Sequence, residues 1–390
     1  MRIPNAVPLV LFVSLALGPP AAQAANFGDP LPNLTPAQAA AFEAGKEEFA
    51  ANEEVDEGLG PVFNGRGCGE CHTTPALGGG STRLETRFGR VVNGVFDPLT
   101  QFGGSLIQNQ GIGPADGSPH TFHGEVPPSV ANRVAGRRTT PLFGLGFVDA
   151  TPDGTFLALA LTQALFTPST AGKVALVKNI QNNQLQVGKF GWKNQVPTLF
   201  VFSGDAYLNE MGITNPLFPD ESCPSGNCAE LAFNPFPALN DTGDGLVAFN
   251  DFMTMLGAPP RGPQTLSSIL GEVVFTQIGC GSCHVGTLQT GSSPIAALNN
   301  ATYHPFSDFL LHDMGTLGDG IQQGAAGQRE MRTAPLWGLR QVTTFLHDGR
   351  ATTLDAAILA HDGQGKAARD KFNALSATDK GYVRAFLKSL

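Results

Sequence analysis

The sequence is poor in charge, and in positive charge above all. Of its 390 residues, 15% are Asp, Glu, Lys or Arg, and the formal net charge is −9. Nucleic acids and anionic membranes are bound through clusters of Lys and Arg, and this chain has no such cluster. The composition therefore argues against both partners.

Long apolar runs are also missing beyond the N-terminus, where no stretch approaches the ~18 apolar residues of a membrane helix. At the N-terminus, Arg2 precedes a short apolar run, and Ala22-Gln23-Ala24 forms an A-x-A cleavage site. We interpret residues 1–24 as a signal peptide, with an uncleaved anchor as the alternative. The mature chain is expected in the periplasm, without a membrane span.

Cysteine is scarce, and the six cysteines lie in three close pairs. In an oxidising compartment each cysteine should be paired, modified or bound to a ligand. Cys223 and Cys228, with Pro and Gly between them, predict a local disulfide, and a redox-active pair is the alternative.

The remaining cysteines belong to two C-x-x-C-H motifs, which are Cys68, Cys71 and His72 in the first and Cys280, Cys283 and His284 in the second. This motif is the attachment signature of c-type haem, in which both thiols bond one porphyrin and the histidine is the proximal iron ligand. Zinc would need further ligands nearby, and a thioredoxin-like site would need a βαβ setting. Neither is present, so we predict two covalently bound haem c groups.

A second duplicated element follows each motif. The sequence RTTPLFGLGF at 138–147 matches RTAPLWGLRQ at 332–341. The two halves are therefore predicted to be copies, with domains at 25–245 and 260–390 divided near the loop LGAPPRGPQ.

The pattern of caps and periodicity predicts a mainly helical chain. Thr35 and Gln38 form a capping box before one helix, and Ser376 caps the final helix. Thr352 is expected to start a short helix that ends at His361. Two-residue alternation is scarce, although short strand pairs are conceivable between residues 85 and 125.

Several longer stretches carry a resemblance to a known family, namely GKFGWKNQVPTL (188–199), NEMGITNPLFPDE (209–221), FSDFLLHDMG (306–315) and FLHDGRATTLDAAILAH (345–361). With the paired haem motifs, they resemble the di-haem oxidoreductase branch of the bacterial di-haem cytochrome c peroxidase and MauG superfamily. The resemblance implies a mainly α fold of two cytochrome-c-like haem domains with long loops and few short strands.

The resemblance also implies a sixth ligand for the second iron, on the helix after His347-Asp348-Gly349. His361 stands there, where the relatives carry Met or Tyr. We expect His284/His361 coordination, with Met314 and Met331 as competing ligands and a solvated His361 as the remaining alternative. His347 and His312 are expected to be structural or to bind a haem propionate.

The first copy lacks a counterpart of His361, because the aligned position falls near Phe166. We therefore expect an open sixth position at the first iron, where peroxide binds. Proton transfer to peroxide needs an acid/base residue, and the candidates are Asp149, Gln163 and Gln108. In an alternative resting state, His120 or His123 caps this iron.

These expectations describe a periplasmic peroxidase-like oxidoreductase that receives electrons from a small donor of the cytochrome c or cupredoxin type. The alternatives are a di-haem electron carrier and a MauG-like oxidase of a partner protein. The stretch NDTGDGLVAFND (240–251) partly matches an EF-hand loop, which adds calcium as a weaker expectation.

Overall fold

The computed structural model describes residues 26–115 and 117–390. The signal peptide predicted for residues 1–24 lies outside the described residues. In the described part of the chain, no helix combines the length and the apolar character that crossing a membrane requires.

Helices provide most of the regular structure, as expected. Their bounds are α1 (Pro36–Ala50), α2 (Leu145–Asp149), α3 (Asp153–Phe166), α4 (Leu199–Met211), α5 (Asp244–Met255), α6 (Leu266–Gln277), α7 (Leu354–Leu359), α8 (Lys366–Ala374) and α9 (Ala377–Leu387).

The strands are short and form small antiparallel sheets. Their bounds are β1 (Val62–Phe63), β2 (Leu84–Val92), β3 (Val95–Asp97), β4 (Leu106–Ile107), β5 (Gln110–Gly111), β6 (Gly113–Pro114), β7 (Thr121–Phe122), β8 (Arg133–Arg138), β9 (Ala175–Asn179), β10 (Gln184–Gly188), β11 (Leu288–Gln289), β12 (Thr302–Tyr303), β13 (Leu311–Asp313) and β14 (Glu330–Arg332).

The predicted helix starts are confirmed at two of three places. Thr35 and Gln38 form the reciprocal capping box, and the Ser376 hydroxyl accepts a bond from a backbone N–H of the first turn of α9. The predicted start of α7 was wrong by one residue, because the N-cap is Thr353 and not Thr352. Two adjacent threonines offer the same chemistry, and only the chain path decides between them.

The strand pairs expected between residues 85 and 125 are present. Strand β2 pairs with β3 through Asn93-Gly94, where both residues have positive φ, as a two-residue hairpin turn requires. On its other edge β2 pairs with β8, from Leu84 opposite Arg138 to Gly89 opposite Arg133. This pairing places the end of β8 beside the start of β2.

The two main apolar clusters of the core differ in size. The larger cluster joins α1, α4 and α5 and also includes Leu288, Tyr303 and Leu310, from beyond the predicted domain boundary. The smaller cluster lies between α6, α8 and α9. Helices α6 and α9 approach closely at Gly271, where a Cβ would collide with the carbonyl of Tyr382. The domain limits at 25–245 and 260–390 stay a prediction.

Candidate haem sites

The first C-x-x-C-H motif folds as one tight turn. Cys68–Glu70 form a 3-10 turn, and the N–H of His72 donates to the Cys68 carbonyl at 3.0 Å. The Nδ1–H of His72 donates to the Gly79 carbonyl at 2.9 Å, which leaves Nε2 as the free lone pair. Burial lowers the pKa of His72 to about 4, so the imidazole is neutral, as a metal ligand must be.

The second motif repeats this geometry. Cys280–Ser282 form the turn, and the N–H of His284 donates to Cys280 at 3.0 Å. The Nδ1–H of His284 donates to the Phe306 carbonyl at 2.9 Å, and burial lowers the pKa of His284 to about 4. Phe306 holds its carbonyl there with φ of 51°, a costly value for a bulky residue that here serves to orient the imidazole.

The four motif cysteines are free thiols, whereas Cys223 and Cys228 form a disulfide. The predicted local disulfide is therefore confirmed. Burial raises the pKa of both Cys68 and Cys280 to about 12, so neither is a reactive thiolate of the thioredoxin type.

A cavity adjoins each motif. The first, of about 450 Å³, is lined by the first motif, and the second, of about 280 Å³, is lined by the second motif. The two cavities meet at a common wall formed by Arg138, Thr139, Thr140, Gly191, Trp192 and Phe202. The indole N–H of Trp192 donates to the Arg138 carbonyl at 3.0 Å, which fixes the ring in this wall.

These residues fit two haem groups. Each cavity has the two thiols of its motif and the motif imidazole with a free Nε2, and a haem also brings two carboxylates that need donors. Arg138 Nε and Arg332 Nη1 are buried and make no hydrogen bond within residues 26–115 and 117–390. Both arginines line the second cavity, and Arg138 also lines the first. Unpaired buried guanidinium groups are costly, so this wall suits an anionic ligand group.

The second cavity contains every candidate for its sixth ligand. His361, Met314 and Met331 all line it. The Nδ1–H of His361 donates to the Ala357 carbonyl at 2.9 Å, which leaves Nε2 free. A Cβ at Gly365 would lie 3.2 Å from both His361 Cδ2 and Met314 Cε, so the two side chains approach the same point. The choice of His361 stays a prediction.

A buried polar chain supports the second motif. The Nε2–H of His312 donates to Asp308 at 2.9 Å, and its Nδ1 lies 3.5 Å from Cys283 Sγ. Burial alone would lower the pKa of His312, but its contacts with the Asp308 carboxylate and with Cys283 together raise it to about 10. Gln163 donates to the same carboxylate and to the Ser282 carbonyl, at 2.8 and 2.9 Å.

The predicted catalytic residues lie elsewhere than expected. Gln163 contacts the second motif, and the Asp149 carboxylate accepts the Leu199 N–H at the start of α4. Burial raises the pKa of Asp149 to about 6, but neither residue is among the described residues that line the first cavity. Gln108 is also absent from that lining, and its amide donates to the Asn209 carbonyl at 3.2 Å.

The alignment that suggested Asp149 and Gln163 fails from α2 onward, because the second copy forms only a 3-10 turn (Leu339–Gln341) at the place of α2. Phe166, the supposed counterpart of His361, is 78% exposed and lines neither cavity within the described chain. Helix α3 instead buries Phe156 and Gln163 against other parts of the protein. His120 stacks on Phe233 with ring centres 4.9 Å apart, far from a role as an iron cap. His72 is the one histidine among the described residues that line the first cavity.

The polar wall of the first cavity contains acids that sequence reasoning missed. Burial raises the pKa of Glu210 to about 7 and that of Asp205 to about 6, and Arg87 opposes both shifts. The Asn64 amide donates to Glu210 Oε2 at 2.8 Å and fixes that carboxyl group. Glu85 pairs with Arg87 at 3.0 Å. Glu210 lies in the stretch NEMG (209–212), which resembles the di-haem oxidoreductase family, so this stretch was the signal in the sequence for that acid.

The calcium expectation is not supported at residues 240–251. An EF-hand needs an open loop there, but α5 begins at Asp244 and runs through Asp251. The Asp241 carboxylate accepts bonds from the N–H groups of Gly245 and Leu246 and so caps α5. The acidic spacing thus reflects a helix start.

The paired sites define a di-haem protein, and comparison with known sequences names its family. The family model described as "Di-haem oxidoreductase, putative peroxidase" matches residues 130–390. The chain therefore belongs to the di-haem oxidoreductase family, which confirms the resemblance seen in its motifs and supports haem cofactors and an oxidoreductase role.

Some solved structures are similar at low identity. Hydrazine synthase of Kuenenia stuttgartiensis is 13% identical with a TM-score of 0.40, and the match covers 100% of both chains. A MauG-like protein associated with microbial copper homeostasis is 13% identical with a TM-score of 0.39, covering 90% of this chain and 89% of that one. The diheme peroxidase BthA from Burkholderia thailandensis is 16% identical with a TM-score of 0.33, covering 91% and 86%. Comparison with curated proteins gives no match.

Proposed function

We propose that this protein is an exported, periplasmic di-haem c-type oxidoreductase that reduces peroxide with electrons from a small redox protein. The observation that carries the proposal is the difference between the two cavities. The second is lined by His361, Met314 and Met331, any one of which could fill the sixth position of its iron. The first has ionisable side chains in its wall and His72 as its one histidine among the described residues.

The residues that would hold the cofactors are those of the two motifs. Cys68 and Cys71 would form the thioethers of the first haem, and Cys280 and Cys283 those of the second. His72 and His284 would be the proximal ligands, each oriented by a carbonyl at 2.9 Å. Each bound haem supplies an iron that changes its oxidation state by one electron and binds a small ligand where a coordination position is free.

Glu210 is the best-placed acid/base residue. Reduction of hydrogen peroxide to two waters consumes two electrons and two protons, so the site must deliver protons. A carboxyl with a pKa of about 7 is protonated in part of the molecules at neutral pH and can both give and take a proton. Asn64 holds Oε2 at 2.8 Å, which leaves Oε1 for the exchange. We assign the role to Glu210 in place of Asp149 and Gln163.

Trp192 and Phe202 are aromatic residues of the common wall, and Trp192 is held there by a hydrogen bond. It lines both cavities, and its ring is held by the Arg138 carbonyl and lies 6.2 Å from the His347 ring, centre to centre. The electron donor is expected to act at the second site, and its electrons then have to cross the wall that contains this ring.

Cyanide and peroxide titrations test the proposal on the purified, fully loaded protein. Both ligands should change the absorption spectrum of one haem and leave the other unaltered, and a reduced donor should then support peroxide turnover. In a di-haem electron carrier, neither ligand would change the spectrum of either haem, and that result would overturn the proposal. A MauG-like oxidase would bind peroxide but show no turnover with the small donor alone.

A further inference from the structure

The duplicated R-T-x-P-L-aromatic-G-L element has the same structure in both copies. Arg138 is the last residue of β8, and Arg332 is the last residue of β14. The glycines that follow, Gly144 and Gly338, have φ of 73° and 75°, so both copies turn in the same way. The two copies therefore match in structure as well as in sequence, and each arginine lies at the end of a strand before the same turn.

Both arginines line the second cavity and have hydrogen-bond donors there that no described residue uses. Arg332 is 6% exposed, and its Nε–H donates to the Gly191 carbonyl at 2.8 Å. Arg332 Nη1 and Arg138 Nε are buried without a hydrogen-bond partner in the described part of the chain. Arg138 gives one bond, from Nη1 to the Thr344 carbonyl. Burial lowers the pKa of both arginines, and no carboxylate of the described residues offsets it.

The neighbouring Arg137 differs from Arg138 and Arg332 in having a carboxylate partner, although its Nη2 also makes no hydrogen bond among the described residues. Its Nε–H donates to Asp319 at 2.7 Å and its Nη1–H to Gln323 at 2.6 Å. Within residues 26–115 and 117–390, Arg137 thus has a carboxylate counter-ion, and Arg138 and Arg332 have none. A buried cation without a counter-ion is strongly unfavourable unless a bound anion neutralises its charge and accepts its free hydrogen-bond donors.

The two arginines are also linked to each other through one segment. The Arg332 N–H donates to the Trp192 carbonyl at 2.9 Å, and the Trp192 indole donates to the Arg138 carbonyl at 3.0 Å. Gly191 and Trp192 line both cavities. Both guanidinium groups therefore lie near the place where the two cavities meet, Arg138 in the common wall and Arg332 in the lining of the second cavity.

We propose that the duplicated element is a carboxylate-binding element, in which Arg138 and Arg332 bind haem propionates where the two cavities meet. The inference rests on the proposed function only in requiring two bound haems. Arg332 serves the second haem, whereas Arg138, which lines both cavities, interacts with both. A guanidinium fork is the donor geometry that fits a carboxylate.

Redox titration of each haem in Arg138→Met and Arg332→Met tests this role, whether or not the protein turns over peroxide. A nearby cation favours the reduced haem, so its removal lowers the midpoint potential. We expect about a tenfold fall in the reduced-to-oxidised ratio at fixed ambient potential, or about 59 mV for one electron. Arg332→Met should shift the second haem alone, and Arg138→Met should shift both.

Arg133→Met is the matched control, because Arg133 is exposed on the same strand β8. Unchanged potentials in both fully loaded cavity variants would overturn the proposal, as would an equal shift in the control. If the Met variants fail to retain haem, the same redox titration is made on Arg138→Lys and Arg332→Lys. These variants keep the positive charge, so they should retain both haems and lower the midpoint potential by less than half of the shift expected for the Met variants. Loss of haem from the Lys variants would contradict the inference.

Discussion

Replacing Glu210 by glutamine should make the protein more stable and less active at once. Burial and the Glu85 carboxylate raise the pKa of Glu210 from 4.5 to about 7. Between these values the folded state holds a proton that the unfolded chain has released. Stability therefore falls as the pH rises through this window, and the loss is complete above it.

The size of the effect follows from the same two values. A rise from 4.5 to about 7 corresponds to about 3 kcal/mol of lost stability at pH 8. At pH 5 most of this cost is absent, and the difference between variant and wild type should be below about 1 kcal/mol. Glutamine keeps an oxygen that can accept the Asn64 amide, so the existing hydrogen bond is retained.

The assay compares urea unfolding at pH 8 and pH 5 with steady-state peroxide reduction. Glu210→Gln should gain stability chiefly at pH 8 and lose about 100- to 10,000-fold in the rate of peroxide reduction, since glutamine cannot move a proton. Glu221→Gln is the matched control. Burial raises the pKa of Glu221 to about 7 as well, but Glu221 is not among the described residues that line the first cavity.

The control should therefore gain stability at pH 8 without any loss of peroxide reduction. Equal rates for Glu210→Gln and wild type would refute the acid/base role of Glu210. A variant that is less stable than wild type at pH 8 would refute the argument from burial.

Other predictions concern the iron ligand, the common wall and one helix cap. His361→Ala should make the second haem high-spin, and an unaltered spectrum would indicate a methionine ligand instead. Trp192→Phe removes the bond to the Arg138 carbonyl and should slow reduction of the first haem by a donor, as stopped-flow absorbance would show; a wild-type rate would rule out a role for the indole. Thr353→Ala should lower the free energy of unfolding by about 1 kcal/mol through loss of the α7 cap, and Thr352→Ala, the control, should not.

Local features were predictable because a few neighbouring residues determine them. The covalent demands of haem attachment fix the C-x-x-C-H spacing, and Thr35 and Gln38 meet within one helical turn. The strand pair of β2 and β3 also had a local signal, since Asn-Gly is the preferred pair for a two-residue hairpin turn. The one-residue error at Thr352 shows the limit of such signals.

The composition of the first cavity was not predictable in this way. Glu210 and Asn64 are 146 positions apart in sequence, and only the packing of α4 against the loop after β1 brings them together. Asp149 and Gln163 follow the duplicated element in sequence, but the two copies diverge from α2 onward. Their neighbours in space, Leu199 and Ser282, come from other parts of the chain.

The common wall depended on similar long-range contacts. The duplicated element was visible in sequence, yet nothing local indicated that Arg137 has a carboxylate partner whereas Arg138 and Arg332 have none among the described residues. That difference arises from the position of Asp319, which reaches Arg137 across the fold.

The resting-state EPR spectrum of the purified protein tests the central claim, the inequivalence of the two haems, most directly. We predict one high-spin and one low-spin ferric signal in equal amounts, with cyanide converting only the high-spin signal. Two low-spin signals that cyanide leaves unchanged would contradict an open first site and would indicate an electron carrier instead.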